Sequence, residues 1–494
     1  MKAGDKENNV KKELGWRPLD NTAKIFPVIA DEDMSQVFRL SVTLKESVDP
    51  EILQKALEEI IPNVDKFRVK LRRGLFWYYF EENKKIPKVK RENTYPCRYI
   101  DPHRNQKFLF RVTYFEHRIN FEVFHALTDG LGAVTFLKSL VKKYLDLVRG
   151  TEEYWVSSDS EIPQEKPFEV SDSYLENYQE NSGRSYSSAP AYQLKGRFHR
   201  LGSGQVLHGY VNIKELKALC KHYDVSITKY LAAVMIWSIW KEYLGGKPHE
   251  RPIALNLPVN LRAFFGSETM ANFFAVTIIG YLFKKPDMDF DTLLGIISRQ
   301  MDRKIDKKRL EESISYNVSN EKKWYLRAIP LVIKKPALAW MFRMKDQSYT
   351  MTLSNIGLIR MEPEYASEIE NFQVMIGVSR RQPLKCAVCA FGSEVVITFT
   401  SVFRDSRLQK RFFRKLRADG IRVRFEGNEL SAAKKKDIYP KMRSIVIVRK
   451  GGSEKAARMA KQVGQTGGTA AKGLRDYVSG RRDWREELSR RLHV

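Results

Sequence analysis

The sequence predicts an α/β protein built as two mixed-sheet lobes, and three observations lead there. At 494 residues the chain exceeds one ordinary core, so two lobes are the default. Strand-like alternation and helix-like periodicity interleave on both sides of a long unpatterned stretch, residues 151–205. Apolar residues make up 43% of the chain, which is enough to fill two cores. The expected divisions are a first lobe over 1–150, a crossover linker over 151–205, a second lobe over 206–430 and a basic tail over 431–494.

A lead-in segment, Trp16–Pro27, precedes the first strand, Val37–Leu44. Asp49-Pro50 opens a helix whose buried stripe is Leu53, Leu57, Ile60 and Ile61. Strands follow at Phe67–Leu71, Leu75–Phe80, Phe108–Tyr114 and Arg118–Phe124, then a helix running to about Leu147. Residues 151–205 fill with Ser, Glu, Tyr, Pro and Gly and lose all period. The second lobe repeats the grammar, with a strand at Gln205–Val211 and a helix at Ile213–Tyr223. A buried helix, Thr228–Tyr243, is capped near Ser226 and stopped by Gly245-Gly246. Strands are expected at Ile253–Val259, Val276–Tyr281, Tyr349–Ser354, Cys386–Phe391 and Ile421–Phe425, with helices at Thr292–Ile305 and Asp405–Asp419. The tail is broken by Gly451-Gly452 and Gly467-Gly468; its Ile445–Val448 run has the length of one strand.

One position stands out chemically. In Phe124-His125-Ala126-Leu127-Thr128-Asp129-Gly130, an alternating strand ends and Asp129-Gly130 turns the chain into a helix with Val134, Leu137, Leu140, Val141, Tyr144 and Leu145 at helical spacing. A histidine there is pinned by a sheet yet offers a ring nitrogen to a cleft. With an unperturbed pKa near ~6.5, imidazole is the usual base at neutral pH. A histidine at a strand end is also commonly structural, so the rest of the chain has to decide.

The beginning, Met1–Val10, has no apolar segment resembling a signal peptide. The longest apolar run, Tyr230–Trp240, is too short to span a bilayer. A soluble, cytoplasmic protein is the expectation. Four cysteines, Cys97, Cys220, Cys386 and Cys389, are too few for a disulfide framework. Cys386 and Cys389 have CxxC spacing on a strand, where positions three apart face opposite ways, and no metal site is expected. The net charge of +27, about +11 of it in 431–494, calls for an acidic partner: a phosphorylated cosubstrate, an acidic protein, anionic lipid or nucleic acid.

Four passages, in order, resemble the superfamily of CoA-dependent acyltransferases with the chloramphenicol acetyltransferase-like fold, nearest its alcohol acetyltransferase and condensation-domain branch. They are Trp16–Pro27, the His125-x-x-x-Asp129-Gly130 unit, Pro258-Val-Asn-Leu-Arg262 with Asn272-Phe-Phe, and Leu353-Ser354-Asn355-Ile356-Gly357. The likeness spans roughly residues 16–430. It implies two similar lobes meeting along a tunnel, with thioester donor entering at one mouth and acceptor at the other.

The resemblance implies that His125 is a general base for an alcohol or amine, which then attacks the thioester directly. Asp129 is expected to be structural and ion-paired to Arg262, and equally fits a helix cap. Gly130 is expected to allow tight packing, and Asn272 to be structural or to line the tunnel. Ser354 and Asn355 are candidate oxyanion donors, and also fit a turn satisfying its own backbone. No tightly bound cofactor is implied; acyl-CoA or an acyl carrier protein thioester is the cosubstrate. Phe124 stands where peptide-forming condensation domains usually carry a second histidine, which favours O- or N-acyl transfer to a free acceptor. The plant-type Asp-Phe-Gly-Trp-Gly signature is absent. Two other readings remain: a non-catalytic condensation-like scaffold, and a binder of RNA or anionic lipid through the basic tail. No Gly-rich phosphate loop, zinc-finger spacing or RNA-binding aromatic signature is present in the body, and no stable nucleic-acid complex is expected.

Overall fold

Short polar caps and alternating apolar runs set most element boundaries in the computed structural model, which describes residues 15–150, 172–180, 189–200, 202–323 and 328–428. Much of the expected linker and all of the basic tail, with its Ile445–Val448 run, lie outside the described residues, as does Met1–Val10.

The first part of the chain runs β1 (Trp16–Pro18), α1 (Phe26–Ile29), β2 (Val37–Leu44), α2 (Pro50–Ile60), β3 (Val69–Arg73) and β4 (Tyr78–Glu82). It continues through β5 (Lys90–Arg91), β6 (Phe110–Phe115), β7 (Arg118–Phe124), α3 (Gly130–Arg149) and α4 (Ser173–Glu176). Asp49 caps α2 by accepting from the amides of Glu51 and Ile52, and Pro50 fits the first turn where no amide partner is needed. Helices α2 and α3 pack together on the sheet. There Phe136 of α3 meets Phe67 and Phe121, with ring centroids 4.3 and 4.6 Å apart.

The second part runs β8 (Gln205–Asn212), α5 (Ile213–His222), α6 (Ile227–Tyr243), β9 (Ile253–Asn260), α7 (Arg262–Phe265), β10 (Phe274–Tyr281), α8 (Phe290–Lys304) and α9 (Lys307–Lys322). Then come α10 (Leu331–Asp346), β11 (Met351–Leu358), α11 (Pro363–Ala366), β12 (Ile369–Ile376), β13 (Leu384–Phe391), β14 (Glu394–Ser401), α12 (Arg407–Ala418) and β15 (Val423–Gly427). Ser226 caps α6 through the Lys229 amide. This helix is apolar all round because α8 and α12 flank it while β9 lies beneath.

The seven-stranded sheet has the order β10-β9-β11-β13-β14-β8-β15, the five-stranded sheet β12-β2-β7-β6-β5, and β1-β4-β3 form a third. One face of the large sheet carries the α6 core; the other contributes Ala387, Cys389 and Val396 to the core of the first lobe. Cys386 and Cys389 accordingly lie in different cores. Strand β12 leaves the second lobe and pairs antiparallel with β2, Phe372 opposite Val42 and Val374 opposite Leu40. It therefore stitches the second part of the chain into the sheet that ends at His125.

Candidate functional site

β7 lies between β2 and β6, so its end is fixed by a neighbour on each side. The His125 amide donates to the Gln36 carbonyl at 2.9 Å, and the chain then leaves the sheet. The Thr128 hydroxyl donates to the Met270 carbonyl at 2.6 Å, anchoring the turn to the second lobe. Asp129 caps α3 by accepting from the amides of Leu131 and Gly132 at 3.2 and 3.1 Å.

The His125 ring is half-buried in an aromatic clamp drawn from both lobes. It stacks on Phe26 at 4.5 Å and 18°, with Phe38 at 5.0 Å and Phe274 at 5.4 Å. Its Nδ1 lies 3.0 Å from Asn272 Oδ1. The Asn272 amide has a defined orientation, because Nδ2 donates to Asp20 Oδ2 at 3.2 Å. An amide oxygen only accepts, so Nδ1 carries the proton and Nε2 presents its lone pair. Burial pushes the His125 pKa below the ordinary imidazole value; the Asp129 charge and the Asn272 hydrogen bond oppose that only in part.

Asp20 closes the chain. Its Oδ1 accepts from the Ala23 amide at 2.7 Å and its Oδ2 also accepts from the Asn272 amide at 3.3 Å. Burial pushes its pKa up, against the Lys66 charge and these hydrogen bonds. Sequence reasoning covered Asp20 only as part of the lead-in segment; its sole local signal is an Asp three residues before the amide that opens a 3-10 turn.

Arg262 grips Asp129 with two parallel bonds, Nη1 to Oδ2 at 2.8 Å and Nη2 to Oδ1 at 3.1 Å. Its remaining donors go to the carbonyls of Thr269 and Ala271 at 2.8 and 2.7 Å and to Asn260 Oδ1 at 3.3 Å. Asp129 Oδ2 also accepts from the Phe273 amide at 2.9 Å. Asp129 thus caps a first-lobe helix and holds the segment that delivers Asn272. It reaches His125 only through its field.

Gly130 lies under Ile356, whose Cδ1 would sit 2.6 Å from an added Cβ. Gly132 has the stricter need: a Cβ there would meet Thr128 Oγ1 at 2.2 Å and the Met270 carbonyl oxygen at 2.5 Å. A second glycine in the first turn of a helix, where propensity disfavours it, was the available signal for this close approach.

β11 does not stop at Ser354, as the sequence pattern implied; it continues to Leu358 across an irregularity between Asn355 and Gly357. The Asn355 Oδ1 accepts from the Gly357 amide at 2.9 Å, and Gly357 takes a φ of 87° that relieves the bulge. Asn355 pairs across the sheet with Val388 of the second core, and its Nδ2 donates to Thr228 at the start of α6 at 2.9 Å. Its amide is therefore directed away from the first lobe and is committed to the fold. Ser354 pairs with Ala387, which belongs to the first-lobe core, so Ser354 faces that lobe.

A cleft of about 80 Å³ opens beside the start of β2, between residues of both parts of the chain. Arg98, Arg200 and Arg380 line it together with Asp33, Tyr95 and Thr400. His125 is not in its lining, but the two are neighbours through β2: Gln36 accepts from His125, and Val37 accepts from Gly377 of the cleft wall.

No family model and no curated protein sequence matches the chain. Solved structures do match in fold. TRI101 of F. sporotrichioides, complexed with coenzyme A and T-2, aligns with a TM-score of 0.55 at 11% identity, over 83% of this chain and 99% of that one. TRI3 trichothecene 15-O-acetyltransferase from Fusarium sporotrichioides gives 0.53 at 10%, over 82% and 94%. The epimerization domain from the third module of tyrocidine synthetase B gives 0.52 at 12%, over 82% and 96%. The chain therefore has the two-lobed fold shared by CoA-dependent acyltransferases and condensation-type domains. The same fold carries an epimerization domain, so the fold does not name the reaction.

Proposed function

We propose that this chain, folded as acyltransferases and condensation-type domains are, moves an acyl group from a thioester donor to an alcohol or amine acceptor. The observation that carries the reading is His125: its proton is held on Nδ1 by Asn272, and burial keeps it neutral at pH 7. The acceptor O–H or N–H donates to Nε2 and surrenders its proton as the heteroatom attacks the thioester carbonyl. The new C–O or C–N bond forms, the C–S bond breaks, and the leaving thiolate takes the proton back from Nε2. A positioned base of this kind contributes typically ~10²–10⁴-fold. The aromatic clamp covers the ring faces with apolar groups, which limits the water around the base and favours acyl transfer over hydrolysis.

The chemistry elsewhere fits direct attack. All four cysteines are buried, and burial pushes each thiol up, so no thiolate is at hand to form an acyl-enzyme. Ser354 faces the first lobe from β11 and is assigned as the donor to the tetrahedral oxyanion. Arg98, Arg200 and Arg380 outnumber Glu32 and Asp33 in the cleft lining and are the cations there that the phosphates of acyl-CoA would meet. Two of the structural neighbours bear on the cosubstrate: one holds coenzyme A beside T-2, and the other is an O-acetyltransferase.

Thiol release from a panel of acyl-CoA donors, with and without pooled alcohols and amines, tests the reading. Wild type should release thiol only when acceptor is present, His125→Ala should lose ~10²–10⁴-fold, and Ser354→Ala ~10²–10³-fold. Equal release by wild type and His125→Ala would reject the proposed base. Absence of release from both would favour a carrier-bound donor or a scaffold role.

A further inference from the structure

Helix α10 is apolar on two sides. Leu331, only 1% exposed, with Leu338 and Phe342, turns inward onto the first-lobe core. Val332 and Ile333 are each 65% exposed, Trp340 63%, Met341 60% and Met344 52%. Ile333, Trp340 and Met344 recur at helical spacing and form one outward stripe. The helix start is tied to the β3–β4 turn, where the Leu331 amide donates to the Leu75 carbonyl at 2.8 Å. That turn adds Leu75 and Phe76, exposed by 68% and 41%. Single exposed apolar residues are ordinary; a run of this size on one helix and its adjoining turn is not.

The charge around the stripe has one sign. Within α10, Lys335, Arg343 and Lys345 are the exposed charges; Lys334 is buried over the Trp77 ring and Asp346 is buried too. Exposed Arg73 ends β3 beside the turn. No helix among the described residues is long and apolar enough to cross a membrane.

We propose that the outward face of α10 and the Leu75–Phe76 turn dock on an anionic lipid surface. Interfacial helices insert protruding Trp, Ile and Met side chains shallowly while flanking Lys and Arg meet lipid phosphates. Each large side chain of the stripe stands more than half exposed, which lipid accommodates without a matching pocket. A net charge of +27 adds long-range attraction to an anionic surface. Helix α10 packs on α1, whose Phe26 stacks on His125. Where the acyl-transfer reading holds, the docked face therefore lies one helix away from the base, which suits an acceptor dissolved in the bilayer; the lipid contact itself does not depend on that reading.

Flotation of the full chain with vesicles of phosphatidylcholine containing about 30% phosphatidylserine tests the contact. Wild type should co-float, and the triple variant Ile333→Ser, Trp340→Ser, Met344→Ser should partition at least tenfold less with an unchanged far-ultraviolet spectrum. A charge variant, Lys335→Glu with Arg343→Glu, should lose binding to the anionic vesicles while leaving the apolar stripe in place, and it serves if the triple variant misfolds. Wild-type flotation that neither variant weakens would place the attachment elsewhere, the basic residues of 431–494 included, and overturn the proposal. Failure of wild type to float, or capture of an acidic carrier protein by these residues in place of vesicles, would overturn it as well.

Discussion

His125 keeps its tautomer through a relay rather than a single contact. Asn272 accepts from Nδ1 and is itself oriented by Asp20, which is held by the amides of Ala23 and Asn272. Removing either partner frees the ring to turn or to move its proton. Asn272→Ala and Asp20→Asn should each lower kcat by about 10- to 100-fold. Both groups also raise the His125 pKa against burial, so each variant should shift the acidic midpoint of the pH–rate profile downward. A variant that slows turnover without moving that midpoint would reduce the relay to a packing role. Asp20 was not legible as a site residue in the sequence, because its partner stands 252 positions along the chain. His125 was legible because a strand period ends one residue before it.

At the scale of elements, the Asp129–Arg262 pair joins the start of α3 to the start of α7 with both charges almost out of water. Removing one partner leaves the other charge buried and uncompensated, so Arg262→Ala should cost about 3–5 kcal/mol. Denaturant unfolding checks this, and a loss below about 1 kcal/mol would mean that water replaces the guanidinium. The local signals that set β2, β7 and the start of α2 were present in the sequence, through alternation and the Asp49-Pro50 cap. β12 was not anticipated, because what makes it a strand is β2, its partner in the first sheet. Nothing was anticipated over α9 and α10 either: α9 is largely polar, and α10 carries Pro336 and exposes apolar residues where a polar face is the norm. The end of β11 was placed too early because Ser354-Asn355-x-Gly357 reads as a turn, whereas Asn355 and Gly357 absorb a bulge within a continuing strand.

On the scale of the whole molecule, the base is a product of assembly. Phe26 and Phe38 come from the first lobe, while Asn272 and Phe274 come from the second, and β12 fastens the sheet that holds His125. Neither lobe alone supplies the contacts that surround the ring. The two-lobe arrangement was readable from length and repeated grammar; the exchange of β12, the aromatic clamp and the Asp20 relay depend on contacts between distant segments, which periodicity does not encode. The pH dependence of kcat/KM for acyl transfer measures that assembly directly. Activity should fall on the acid side with a midpoint below 6.5, because burial between the lobes depresses the His125 pKa. A midpoint at or above 6.5 would mean that His125 is solvated in the working protein, and would contradict the account of a desolvated, neutral base.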